Sequence, residues 1–212
     1  MKSFAQVVSE TIQEQGHVHL LFEQGMYFLA EDLERILHVF QDAGVPFEVI
    51  GGLAVNAHLM AAFQRSRSFL TRDIDFLVQR SDLDQIVRSA SEAGYIAKKM
   101  MGGYALLLPG QQLSEAVHLL FAGEKPKSSY PVLNPQLHPE EKELFGLSFP
   151  VAPLVDLLVL KLNSLRPKDL VHLEVLDAVG FITPEVELEL PTELRARLQN
   201  ARMNFEHNQA PE

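Results

Sequence analysis

The chain has 212 residues, 47% of them hydrophobic and 22% charged, enough for one substantial core or for one domain with a smaller appendage. It contains no cysteine, which excludes disulfides and thiolate metal sites and suits a reducing compartment. A formal net charge of -10 excludes a broad basic surface for nucleic acid and leaves room only for a local basic groove.

Residues 1–25 are weakly patterned and predict at most a short helix. The stretch lacks the continuous apolar core of a signal peptide, and the most apolar run, VAPLVDLLVLKL, is broken by Asp156 and Lys161, so a cytoplasmic chain without a membrane span is expected. Leu29, Leu33, Ile36, Leu37 and Phe40 follow helical spacing, with Glu31 and Asp32 early, where the helix dipole favours them. VPFEVIGG then reads as a strand running into a double-glycine turn, LAVNAHLMAAF as a helix and DIDFLV as a strand. Ser81 with Asp84 resembles a capping box, opening a helix with Leu83, Ile86 and Val87 that stops at Gly94. YALLL and EAVHLLFAG predict two more strands. A proline-rich stretch follows and reads as loop. SFPVAPLVDLLVLKLNSL predicts a buried helix entered through Pro153, PKDLVHLEVLDAVG a second from Pro167 to Gly180, and TELRARLQNARMNFEH a third, polar one. The expected class is α+β, a mixed sheet flanked by helices with a helical C-terminal region. Its expected parts are an N-terminal extension (1–28), an α/β core (29–125), a connecting loop (126–150) and a C-terminal helical region (151–212) packed on the core.

The chemistry concentrates in TRDIDFLV, Thr71 to Val78. Side chains alternate along a strand, so Asp73 and Asp75 share a face and Ile74 takes the other. Two carboxylates side by side repel unless something positive neutralises them. Upstream, Gly51 and Gly52 lack Cβ, so the backbone there can approach a ligand and offer N–H groups at a helix start, an arrangement that favours phosphate. Paired aspartates supply hard oxygen ligands for a divalent cation that bridges phosphate oxygens. Together these features point to phosphoryl or nucleotidyl transfer.

VIGGLAVNAHLMAAF followed by TRDIDFLV resembles the nucleotidyltransferase superfamily with the DNA polymerase beta fold, in particular bacterial minimal members related to type IV toxin–antitoxin nucleotidyltransferases. The resemblance continues through VHLLFAGEK and PLVDLLVLKLNSLRPKDLVHLEVL, over roughly residues 29–180. It implies that Gly51 and Gly52 form the nucleotide-phosphate turn, helped by Arg72 and Lys161, and that Asp73 and Asp75 bind divalent metal, magnesium or manganese. Where the family carries a third carboxylate, this chain has His118; Glu115, the nearest acid, faces away from it by strand alternation. The family's arginine two residues before the threonine is Phe69 here, with Arg65 and Arg67 displaced and Arg72 added.

The implied activity is metal-dependent transfer of a nucleoside monophosphate from a nucleoside triphosphate to a hydroxyl of a small molecule, a protein or an RNA 3′ end. The alternative is a catalytically degenerate, nucleotide-binding relative acting as a regulatory or interaction module; a plain structural domain is the third. Lys161 either snorkels to solvent or reaches the triphosphate. Capping and dipole effects explain most of the charge at Arg166, Lys168, Asp169 and His172, and His17 and His19 read as surface. Asp73→Asn or Asp75→Asn is expected to leave the fold intact or slightly more stable, and Gly52→Val to block the ligand.

Overall fold

The computed structural model describes residues 17–63, 71 and 73–209. Seven strands form one mixed sheet in the order β3-β4-β5-β2-β1-β7-β6. These are β1 Phe47–Ile50, β2 Ile74–Val78, β3 Ile96–Met100, β4 Gly103–Leu107, β5 Val117–Phe121, β6 Glu140–Leu144 and β7 Leu147–Val151. β2 runs antiparallel to β1 and parallel to β5, and β1 is parallel to β7. The helices are α1 His17–Ala43, α2 Gly51–Phe63, α3 Leu83–Glu92, α4 Leu154–Ser164, α5 Pro167–Ala178, α6 Pro184–Glu189 and α7 Thr192–Gln209. The fold is α+β, a mixed sheet flanked by helices with a helical C-terminal region, as the sequence predicts. Among the described residues, no helix is long and apolar enough to cross a membrane.

Alternation in β2 builds two cores at once. Ile74, Phe76 and Val78 join Leu33, Ile36 and Phe40 of α1 in the main cluster, where Phe76 stacks 4.5 Å from Phe40. Leu77 goes to the other face and packs with Ile50, Ala122, Ala152 and Leu160. Asp75 shares that second face, one strand step from Leu77, so burial of the apolar residues around it fixes where its carboxylate points.

Several local expectations change. α1 begins at His17, twelve residues before Leu29, and crosses the boundary drawn at residue 28; of His17 and His19 only the helical backbone is described. Ser81 caps nothing: its hydroxyl bonds Asp82 Oδ1, and a 3₁₀ turn, Arg80–Asp82, leads into α3. Gly94 does end α3, at φ +88°, where Tyr95 N–H returns to Ala90 O. β3 was not predicted because its IAKKM carries no apolar alternation; it is a sheet edge with exposed Lys98 and Lys99, the charge that discourages further pairing. The stretch read as loop, 126–150, holds β6 and most of β7. β6 is likewise a charged edge strand, and β7 tolerates Pro150 while pairing to β1 only at Val49↔Val151.

The irregular part of that stretch straps the second face. Gly123 N–H donates to Asn134 O, Asn134 Nδ2 donates to Phe121 O at 2.9 Å, and Asn163 exchanges two bonds with Val132. At its far end His138 N–H donates to Glu48 Oε1, a fully buried carboxyl on β1. Glu48 Oε2 has no partner among the described residues. Burial, helped by the charge of Asp156 and opposed by the His138 bond, pushes the Glu48 pKa up to about 7. A carboxyl raised above its unfolded value binds more protons when folded, so its contribution falls as pH rises from 4.5 through 7. Glu48→Gln is therefore expected to stabilise the protein above pH 7 by about 2 kcal/mol and to gain nothing at pH 4. Urea unfolding at both pH values measures it; an equal effect at pH 4 and pH 8 would show that the charge is not the cause.

Candidate active site

Register brings the candidate residues together. In the parallel pair β2/β5, His118 is the direct partner of Asp75, and in the antiparallel pair β1/β2 Ile50 lies opposite Asp75, so Gly51 follows immediately beside it. Asp73 precedes β2 by one residue. One ligand atom each from Asp73, Asp75 and His118 lies within 4.8 Å of the others, a group that could hold a metal ion. Glu115 takes no part: it sits in a 3₁₀ turn and accepts from Gln112 N–H at 3.0 Å.

Both carboxylates have partners within the protein. Lys168 Nζ donates to Asp73 Oδ2 at 2.6 Å, and Thr71 Oγ1 donates to Asp73 Oδ1 at 2.7 Å. Burial works to raise the Asp73 pKa, but the bonds from Lys168 and Thr71 outweigh it and hold it down to about 2. His118 Nδ1 lies 3.2 Å from Asp75 Oδ1. That hydrogen bond, against the effect of burial, raises the imidazole pKa.

Gly51 and Gly52 divide the turn between them. Gly51 has φ +73°, and a Cβ there would sit 2.1 Å from Asp75 Oδ2; the missing side chain is the space the carboxylate occupies. Gly52 has no such φ, and a Cβ on it would press on Thr71 Oγ1 at 3.1 Å and on the His172 ring. The left-handed position is thus Gly51, and Gly52 faces the threonine that holds Asp73.

A cavity of about 370 Å³ opens beside the cluster, lined by Gly51, Asp75, His118, Lys161, Arg166 and Asp169 among others. Ile50, Leu120 and Leu160 give it apolar lining, and Pro126, Lys127 and Tyr130 of the strap also line it. Its lining holds three cations, Lys127, Lys161 and Arg166, against two carboxylates, Asp75 and Asp169, a balance that favours an anionic ligand. Lys161 does not snorkel. It is 3% exposed and donates to His172 Nδ1 at 2.8 Å, with Asp169 Oδ1 at 3.5 Å. Burial pushes its pKa down to about 8 against the pull of Asp169 and Asp75. Burial and the Lys161 charge push His172 down to about 4, so its ring is neutral and accepts.

Asp169 both caps α5 and orders this wall. Its Oδ2 accepts from the Arg166 backbone and Nε at 3.1 and 2.9 Å, and from Ser164 Oγ. Sequence reasoning saw Arg166, Lys168, Asp169 and His172 as helix-junction charges; capping is part of the answer, but the junction also delivers three of them to the site. Arg72, with Arg65, Arg67 and Phe69, lies outside the described residues.

No protein-family model and no curated protein matches the chain. Among solved structures it is similar to two of the antibiotic-resistance factor ANT(2″)-Ia. The solution structure is 14% identical and matches over 85% of each chain with a TM-score of 0.44. The crystal structure, in complex with adenylyl-2″-tobramycin, is 14% identical over 86% of this chain and 99% of that one, with a TM-score of 0.45.

Proposed function

We propose that the chain is a metal-dependent nucleotidyltransferase that moves a nucleoside monophosphate from a nucleoside triphosphate to a hydroxyl acceptor. The observation that carries this reading is the convergence of Asp73, Asp75 and His118 at a cavity walled by Lys161 and Arg166. The donor set fits a divalent cation: two carboxylates and an imidazole reach a common point, and Gly51 leaves the room that a side chain would take from Asp75. A bound cation would supply Lewis-acid stabilisation of the charge that develops on the phosphate oxygens. Lys161 and Arg166 balance the remaining phosphate charge, and both are held in place by Asp169, so little reorganisation is needed when the ligand arrives. The apolar lining of Ile50, Leu120 and Leu160 suits the flat face of a base.

Two roles fit His118, and the metal profile separates them. As a ligand, imidazole favours manganese and later transition metals over magnesium. As a base, its Nδ1 bond to Asp75 leaves Nε2 to take the proton of the acceptor hydroxyl. His118→Asp is expected to shift the metal preference toward magnesium by roughly tenfold if the ring is a ligand. Magnesium and manganese titrations of triphosphate turnover in both proteins measure the shift, and superimposable profiles would place His118 outside the donor set.

A second reading has its own support. The Lys168–Asp73 ion pair and the His118–Asp75 hydrogen bond occupy both carboxylates without a metal, as in a nucleotide-binding module that has lost turnover. Release of pyrophosphate from labelled triphosphate, assayed across hydroxyl acceptors with either metal, decides between the two. Binding without any turnover under all of these conditions would overturn the enzyme reading.

A further inference from the structure

We infer that Lys168 is the resting counter-ion of the Asp73–Asp75–His118 site, so that the site takes a divalent cation together with a triphosphate rather than alone. The inference rests on the metal-site reading above and adds a positioning role for a residue outside the cavity lining. Among the described residues, three cations of the α4–α5 junction stand beside the site, and they are held differently. Arg166 is tied to Asp169 by two bonds from its side chain, at 2.9 and 3.4 Å, and Lys161 is tied to His172 and Asp169, neither of which belongs to the donor group. Lys168 instead holds a donor itself, with Nζ 2.6 Å from Asp73 Oδ2. The other oxygen of Asp73 accepts from Thr71, so both of its oxygens are engaged.

A bare cation entering this site must break the ion pair and leave an ammonium group facing it. Like charges at such separations repel strongly at the effective dielectric of a protein surface. A metal–triphosphate complex is net negative and brings oxygens of its own to receive Lys168. Lys168 can make that exchange, since its side chain is 43% exposed while that of Asp73 is 18% exposed. Displacement costs little at the lysine and gains most when phosphate arrives with the metal. By linkage, whatever factor triphosphate adds to metal affinity, metal adds to triphosphate affinity.

The test uses manganese alone, read by its electron paramagnetic resonance signal, and a non-hydrolysable α,β-methylene triphosphate with and without manganese. In wild type, free manganese should bind weakly and should strengthen analogue binding by roughly tenfold or more. Lys168→Met keeps the apolar stem and removes the charge; it should bind free manganese roughly 5- to 10-fold more tightly and show a smaller coupling to the analogue. Lys168→Arg keeps the charge and should restore the wild-type pattern, which a merely structural role would not require. Free manganese bound equally by wild type and a folded Lys168→Met would overturn the inference while leaving the metal site standing. Absence of any manganese effect in all three proteins would instead overturn the metal-site reading, and the inference with it.

Discussion

Asp75→Asn is expected to lower metal-dependent triphosphate turnover by roughly 10²- to 10³-fold, the usual loss when a group that stabilises transferring charge is removed. Asparagine keeps the shape, and its Oδ1 can still accept from His118 Nδ1 at the 3.2 Å separation seen here, so the melting temperature should change little. The loss then lies in the donor set rather than in the fold. Steady-state turnover with saturating manganese, alongside a thermal melt, makes the comparison; a folded variant within threefold of wild type would remove Asp75 from the site. Asp73→Asn behaves differently. Its pKa of about 2 lies below the ordinary 3.8, so its ionised form stabilises the fold above that pH, and the contribution is lost as pH falls through 2. Replacement should cost roughly 1–2 kcal/mol at pH 7, after allowance for the exposed Lys168. This reverses the expectation that removing either carboxylate relieves repulsion: Lys168 and Thr71 have already done so.

Gly51→Ala should be the most damaging single-methyl change near the site. A left-handed φ of +73° costs a non-glycine residue roughly 1–2 kcal/mol by itself. The new Cβ would also lie 2.1 Å from Asp75 Oδ2, so the carboxylate must leave its present position. A total loss of roughly 2–4 kcal/mol is expected, with weakened manganese-dependent triphosphate binding in the molecules that remain folded. Gly52→Ala meets Thr71 Oγ1 at 3.1 Å with no strained φ, and the milder effect should pass through the threonine that holds Asp73. Denaturant unfolding of the two variants ranks them. If Gly52→Ala proved as destabilising as Gly51→Ala, the division of the turn between the two glycines would be wrong.

Four residues show how much of the site local sequence carried. Asp73 and Asp75 were legible because alternation around a buried Ile74 forces them to one face. His118 was legible as a candidate only through the family resemblance, at the position of the family's third carboxylate, yet its place opposite Asp75, 43 positions earlier, is a matter of parallel register. Lys168 stood in view as one more charge at a helix start. Its bond to Asp73 spans 95 positions and has no local signature, since charge at an N-terminal turn is explained equally well by capping.

The sequence by itself determined the α+β class, the strand–glycine–helix–strand order, the entry of α4 at Pro153 and of α5 at Pro167, and the stop at Gly94. Each of these is set by short-range physics: periodicity of burial, the fixed φ of proline and the freedom of glycine. Only the tertiary structure decided the rest. The edge strands β3 and β6 are charged and exposed, so they acquire strand geometry from the neighbours they pair with rather than from a pattern of their own. Lys161 is a buried cation because Asp169 and neutral His172, supplied by the next helix, compensate its desolvation. The Asp73, Asp75 and His118 side chains meet, with Lys168 on Asp73, because β2, β5 and α5 converge there, and that arrangement is a property of the convergence, which no single segment of the chain contains.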